Sequence, residues 1–403
     1  MTNIKANSLL KQDGLIIKNH QQFHQYKHLH IWFPNIFEFK GGIQVYSGFL
    51  LEALQSLYPN IEYDVFLKHD TRCLSNVSFI KKTQFHFTGK WPKKLRTLAF
   101  ATQLLGHGLW QRPRLIISSH LNFTVIAYLL KRLTGIHYWT VAHGIEAWDI
   151  ERPTLKVALQ NADRILAVSS YTRDRLLQQG LDPGKVLVLP NTFDANTLKI
   201  KTKSSVLLKR YGLNAEQPII LTVARLSKSE QYKGYDKILT ALPQIRQTIP
   251  NVHYLLVGKG DDRARIEELI SKLQLQDCVT LAGYIPDEEL TDHYNLCDVF
   301  AMPSKGEGFG IVYLEALACG KPTLGGNRDG TLDALCNGEL GALVDPDNTE
   351  AIAQTLIQIL QGQYPNPILY QPELLRQKVI ERFGFESFQQ TLGIYLEHYF
   401  QYI

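Results

Sequence analysis

Cysteine is scarce. The 403-residue chain has five, Cys73, Cys278, Cys297, Cys319 and Cys336, too scattered for a disulfide framework or a zinc cluster. They suit a reducing compartment, where buried thiols act as small hydrophobes. No apolar run reaches the roughly 18 residues that a membrane-spanning helix needs. The opening MTNIKANSLLKQDG has neither a continuous apolar core nor a small-residue cleavage site, which predicts no secretory signal and a cytoplasmic protein. Zinc-finger, RNP and basic-zipper patterns are all missing, so nucleic acid is not expected as a partner. No G-x-G-x-x-G follows the first strand, which disfavours a nicotinamide enzyme. What remains, with 45% hydrophobic and 20% charged residues, is a globular composition with chain enough for two or three domains.

The net charge of +5 hides an asymmetry. Residues 1–195 carry 23 Lys and Arg against 13 Asp and Glu, and residues 196–403 carry 20 against 25. A basic first half attracts anionic lipid or a phosphorylated substrate.

Residues 1–27 read as a polar tail. His20, His24, His28 and His30 lie close together in sequence, and a tail running into a strand accounts for them without a metal. Short Val- and Ile-rich runs then alternate with helical patterns: HLHIWFP, EYDVFL, RLIISS, IHYWTVAH, DRILAVS and KVLVLP. The rhythm breaks over 191–216 and resumes at PIILTVA, followed by VHYLLVG, VTLAG, DVFAMPS, KPTLGG and GALVD. Such alternation predicts an α/β chain with two parallel sheets covered on both faces. The expected division is a tail (1–27), a first Rossmann-like domain (28–195), a linker (196–216), a second such domain (217–383) and a last helix (384–403).

In open parallel sheets the ligand lies beyond the carboxyl ends of the strands. Five strand-to-helix loops there are unusual. Gly41 and Gly42 open the first helix, where backbone amides favour anions or polar oxygens. His143 and Gly144 end a strand and aim a ring at the cleft. Arg225 ends the first strand of the second half, and Lys233 precedes a helix. Guanidinium, ammonium and helix-start amides together neutralise a diphosphate. Gly258 and Gly260 turn the chain after another strand. The richest loop is PSKGEGFGIVYLEALACGKP, with Glu307 and Glu315 separated by seven residues, and with Gly306, Gly308 and Gly310 freeing amides for oxygens. Glu315 sits among apolar neighbours, so its carboxylate needs a partner.

These motifs, in this order with LAGYIPDEEL and GALVDPDN, resemble the retaining nucleotide-sugar glycosyltransferases of family GT4, which have the GT-B fold of two facing Rossmann-like domains. The resemblance covers about residues 28–398. It implies that Arg225 and Lys233 grip the diphosphate and Glu315 binds the ribose. It places Glu307 near the donor sugar, with the amides of Gly308, Phe309, Gly310 and Ile311 beside it. Tyr284 and Ile285 would flank the base and Gly42 would approach the diphosphate, while Gly258, in LVGKG, turns the chain beside the ligand. His143 would contact the donor sugar and serve transfer. It also implies that the last helix crosses back onto the first domain. Three departures stand out: a longer loop between Arg225 and Lys233, in which Lys228 is a lesser candidate; PNTFD at 190–194, with Thr192 at a ligand position; and GGNRDG at 325–330.

The implied function is transfer of a sugar from a UDP-sugar such as UDP-glucose to a hydroxyl of a glycan or lipid-linked acceptor. Polysaccharide or glycolipid synthesis is the setting that follows. No paired-Asp motif follows a strand, and Arg225 and Lys233 supply the charge, so no required metal or other cofactor is expected. Front-face attack is preferred to double displacement, for which Glu307 is the tempting nucleophile. The competing readings are a GT-B nucleotide-sugar epimerase and a catalytically inactive sugar-nucleotide-binding protein. Residues 91–110, WPKKLRTLAFATQLLGHGLW, read either as an ordinary packed helix or as one that lies on the anionic inner face of the plasma membrane.

Overall fold

The structure, a computed structural model, describes residues 28–38, 41–73 and 82–401. The expected tail at 1–27, with His20 and His24, lies outside the described residues.

Seven strands form the first sheet: β1 (His28–Phe33), β2 (Glu62–Leu67), β3 (Thr83–Phe87), β4 (Leu115–Ser118), β5 (His137–Ala142), β6 (Arg164–Ala167) and β7 (Val186–Val188). All pairings are parallel, in the order β3-β2-β1-β4-β5-β6-β7. Helices cover both faces, so Ile31, Val65, Ile116, Ile117 and Val141 are fully buried, and their strands read as continuous apolar runs. β3 differs. It is an edge strand, half-buried over most of its length, and its TQFHF sequence carries no such run.

The second sheet has β8 (Ile219–Val223), β9 (His253–Val257), β10 (Val279–Gly283), β11 (Val299–Met302), β12 (Thr323–Gly326) and β13 (Ala342–Val344). Its parallel order is β10-β9-β8-β11-β12-β13. In each sheet the first strand sits centrally, where the winding reverses, between β2 and β4 or between β9 and β11. The loops leaving β1, β8 and β11 therefore open at the switch points where such sheets hold ligands. This is the GT-B architecture.

Within 196–216, Ser205–Tyr211 forms a helix capped by the Ser204 hydroxyl, and Leu207 is buried. Lys201 and Lys203 pair with Asp292 and Asp298, tying this segment to the second sheet's layer. Phe193 and Gly384 form an isolated parallel bridge where the chain passes between the two units twice. Arg376 clasps that crossing by donating to the carbonyls of Ala195, Leu198 and Ala318. The last helix, Phe385–Phe400, lies on the first unit. Gln389 donates to Ser56 at 3.0 Å, and the Tyr395 hydroxyl donates to the Val188 carbonyl at 2.8 Å. One apolar core includes Leu50, Leu189 and Phe388 together with Tyr313 and Phe383, so it runs through both units.

Candidate active site

The loop after β1 is shaped by Asp70. This fully buried carboxylate accepts from the amides of Ile36, Phe37 and Glu38 at 2.6–3.1 Å. Gly41 caps the helix Gly42–Leu57 with its backbone alone. Gly42 faces the other unit: a Cβ there would lie 3.9 Å from Ile311 Cδ1.

His143 follows β5 and stacks edge-on against buried Tyr46, with ring centroids 5.0 Å apart. Its Nε2 lies 2.8 Å from the Ser119 carbonyl. A carbonyl only accepts, so Nε2 carries the proton and Nδ1 keeps a bare lone pair. Burial pushes the ring down to about 4, against the opposing Ser119 bond, so it is neutral at pH 7. The next residue, Gly144, has φ +143° and touches the glycine-rich loop of the second unit. A Cβ on Gly308 would sit 1.8 Å from the His143 carbonyl oxygen, and one on Gly144 would sit 2.6 Å from Gly308 Cα. Only glycine at both positions permits this backbone approach.

In the second unit, Arg225 Nη2 lies 2.5 Å from Glu230 Oε1, and Lys233 Nζ lies 3.0 Å from Glu307 Oε2. Glu230 Oε2 is 3.7 Å from Lys233 Nζ. Four charges thus form one chain, Arg225–Glu230–Lys233–Glu307. The structure brings Arg225, Lys233 and Glu307 together through Glu230, which sequence reasoning passed over. A single acid in a charged loop reads as solvated, and the only signal was its place between two cations in a lengthened loop. Lys228 is exposed and holds Asp261 through its amide.

Glu307 is positioned by Asp329. This buried carboxylate accepts from the Glu307 amide at 2.6 Å, the Ser304 hydroxyl at 2.9 Å and the Thr331 amide at 3.0 Å. Burial raises its pKa to about 6 in spite of those bonds. So the unusual GGNRDG stretch braces the loop that carries Glu307. Glu315, in the helix Ile311–Ala318, accepts from the Tyr294 hydroxyl at 2.6 Å, which supplies the partner its apolar surroundings require.

Phe309 is buried against Phe383, and Ile311 is also buried, leaving their backbones as the parts near the cleft. Gly310, at φ +91°, packs against Tyr313 and Glu307. Gly258 packs so closely on Ala224 that a Cβ would reach 1.8 Å from its carbonyl oxygen. Tyr284 is 65% exposed beneath the Lys259 ammonium, 4.8 Å from its ring centroid, and Ile285 is buried. Thr192 is buried and its hydroxyl has no hydrogen-bond partner. Among the described residues no group of three or more His, Cys, Asp or Glu is arranged to hold a metal ion.

Two family profiles divide the chain. That described as Glycosyltransferase Family 4 matches residues 40–197, and that described as Glycosyl transferases group 1 matches residues 205–377. The chain is related to the family 4 glycosyltransferases. Between them the two matches contain every residue placed above in the cleft. Among curated relatives, the chain is 31% identical over 230 residues to the GDP-mannose-dependent alpha-(1-6)-phosphatidylinositol monomannoside mannosyltransferase of Mycolicibacterium smegmatis. That match covers 54% of this chain and 59% of the relative. The D-inositol 3-phosphate glycosyltransferase of Segniliparus rotundus is 26% identical over 65% of this chain and 62% of its own length. The chain therefore spans less than two thirds of the length of these relatives. Solved structures share the fold over nearly the whole chain. Anabaena HepE in complex with UDP and glucose has a TM-score of 0.74 at 18% identity, covering 93% of this chain and 100% of that one. Sucrose-phosphate synthase from Thermosynechococcus elongatus has a TM-score of 0.77 at 22% identity, covering 94% and 100%.

Proposed function

We propose that the chain is a retaining glycosyltransferase that moves a sugar from a nucleotide diphosphate sugar to a hydroxyl of a glycan or lipid-linked acceptor. One observation carries this reading: the Arg225–Lys233–Glu307 cluster forms at the carboxyl ends of the second sheet, and the loop that brings Glu307 into it also carries Gly308, which touches His143 and Gly144 of the first unit. In this reading Arg225 and Lys233 neutralise the leaving diphosphate, and Glu315 holds the ribose. The amides of Gly308 to Ile311 line the sugar side, with Gly41 and Gly42 opposite. Tyr284 and Ile285 flank the base beside Gly258. His143 and Glu307 act at the sugar. Charge stabilisation by preorganised cations takes the role that a divalent ion has elsewhere. Transfer should therefore persist with a chelator present, and its abolition by the chelator with rescue by magnesium would refute this part.

The donor is read as a UDP-sugar. A second reading has a specific basis: the relatives at 31% identity carry the printed description GDP-mannose-dependent. A transfer assay with UDP-glucose and GDP-mannose, resolving products with and without acceptor, tests both. A C2-inverted nucleotide sugar made without acceptor would instead indicate an epimerase.

The first unit supports a lipid-side acceptor. Residues 71–145 contain no Asp or Glu but 11 Lys and Arg. On the helix Lys93–Gln111, one stripe with Phe100 and Leu104 is buried, while Leu98, Leu109 and Trp110 are exposed. Beside it lies a cavity of about 490 Å³ lined by Phe87, Trp91, Leu95 and Leu98 among others. We read this face as meeting an anionic membrane. No helix among the described residues is long and apolar enough to cross one. Sedimentation with phosphatidylglycerol vesicles should carry the protein down, and L98E/W110E should release it. Equal sedimentation with phosphatidylcholine would contradict an anionic surface.

A further inference from the structure

The loop between Arg225 and Lys233 holds an acid whose place has a consequence for the donor. Glu230 lies in the short 3-10 segment Lys228–Lys233, at the one position where the backbone departs from helical torsions (φ −119°, ψ 25°). Its neighbours Lys228 and Ser229 are exposed, yet its own side chain is only 12% exposed. One oxygen pairs with Arg225 at 2.5 Å. The other is buried without a hydrogen-bond partner, 3.7 Å from a Lys233 ammonium whose hydrogen bond goes to Glu307. A buried carboxylate oxygen lacking a donor is poorly placed for a permanent structural pair. It is placed as an anion between two cations.

Building on the donor reading above, we propose that Glu230 is a built-in counter-anion that occupies the phosphate position between Arg225 and Lys233. A diphosphate must displace it to bind. The charges support the exchange. With Glu230 in place the two cations and two carboxylates balance. A diphosphate entering beside both acids meets like-charge repulsion, which turning Glu230 out to solvent relieves. A ligand reaching both cations replaces the carboxylate fully, whereas a monophosphate reaches one and leaves the other to Glu230. Glu230 thereby eases release of the nucleoside diphosphate product.

Calorimetry on the full chain with UDP, UMP and inorganic pyrophosphate tests this, comparing wild type with Glu230→Gln and Glu230→Ala. Melting curves confirm that each variant is folded. The expected result is that both variants bind UDP more tightly, by about fivefold, on the scale of one accessible ion pair. UMP, which displaces Glu230 only in part, should gain less than UDP, so that the UMP-to-UDP ratio of dissociation constants widens. A rise in turnover number for the variants, or UDP affinity unchanged or weakened, overturns the proposal and makes Glu230 an orienting residue for Arg225 and Lys233. If wild type prefers GDP, the same comparison with GDP and GMP decides. Pyrophosphate binding by the variants but not by wild type supports displacement. If neither wild type nor variants bind any of these ligands, the donor reading fails together with the proposal. Weakened UDP binding in the variants alone sinks the proposal and leaves the donor reading standing.

Discussion

The two units share a winding order but are built from opposite materials. The first is basic, and its ionisable groups near the cleft and core include buried His30 and half-buried His120 and His143, each pushed down by loss of water around the ring. The second is acidic overall. Its buried Asp329 is pushed up, and its loops fit backbone to backbone with no room for a Cβ at Gly258, Gly308 or Gly330. One unit offers neutral rings and an apolar, basic surface. The other offers fixed charge and close-packed amides. The contrast teaches that each half brings a different chemistry to the cleft, and that at Gly144 and Gly308 they meet through backbone rather than through a charged pair.

The sharpest way to break the comparison is at that contact. Gly308→Ala places a Cβ 1.8 Å from the His143 carbonyl oxygen, so the units must shift apart. Transfer should fall by about 100-fold, as for a displacement near 1 Å at a reacting centre, while circular dichroism and nucleotide binding change little. Retained transfer would show that the units need not meet there. Next in size is Glu315→Gln, which removes the charge and turns one of the two accepting oxygens beside Tyr294 into a donor. Donor affinity should weaken by about 1.5–3 kcal/mol, the worth of a hydrogen bond to a charged group, with little change in the chemical step. Unchanged affinity would take Glu315 off the ribose. His143→Ala should keep UDP affinity and reduce transfer by about tenfold, about 1.4 kcal/mol in the barrier. A matching loss of UDP affinity would move His143 into donor binding.

The smallest effect sharpens the comparison through pH. His143 titrates near 4 when folded, below the ordinary histidine value of 6.5. Its stability contribution is full above about 6.5 and is lost as pH falls through about 4. Asp329 titrates near 6, above its ordinary 3.8, so its contribution is full below about 3.8 and is lost as pH rises through 6. Melting temperatures from pH 4 to 8 should show wild type's margin over His143→Gln narrowing towards acid. Its margin over Asp329→Asn should narrow towards neutrality. Parallel trends would mean that the two units do not differ as described.

Most strands were legible because parallel strands buried on both faces announce themselves as Val and Ile runs, as in RLIISS around Leu115–Ser118. Thr83–Phe87 was not, since an edge strand lacks that run. The helix Ser205–Tyr211 was hidden because it buries only Leu207. Lys233, Arg225 and Glu307 stood out as charges at strand-to-helix loops. Glu230 and Asp329 did not: Glu230 is turned between Arg225 and Lys233 by a kinked loop, and Asp329 acts on the Glu307 amide 22 residues away, and no local pattern records either. The Gly308 contact with His143 belongs to the same class: sequence names the glycine but not the backbone it must admit.

The proposed function stands or falls with nucleoside diphosphate binding by the charge cluster of the second unit. Its most direct test is calorimetric titration of wild type and the Arg225→Ala/Lys233→Ala double variant with UDP, GDP and ADP. Wild type should bind UDP most tightly of the three, and the double variant should lose that binding. Tighter binding of GDP would correct the base alone. Absence of any nucleoside diphosphate binding in wild type, or undiminished binding in the double variant, would contradict the account.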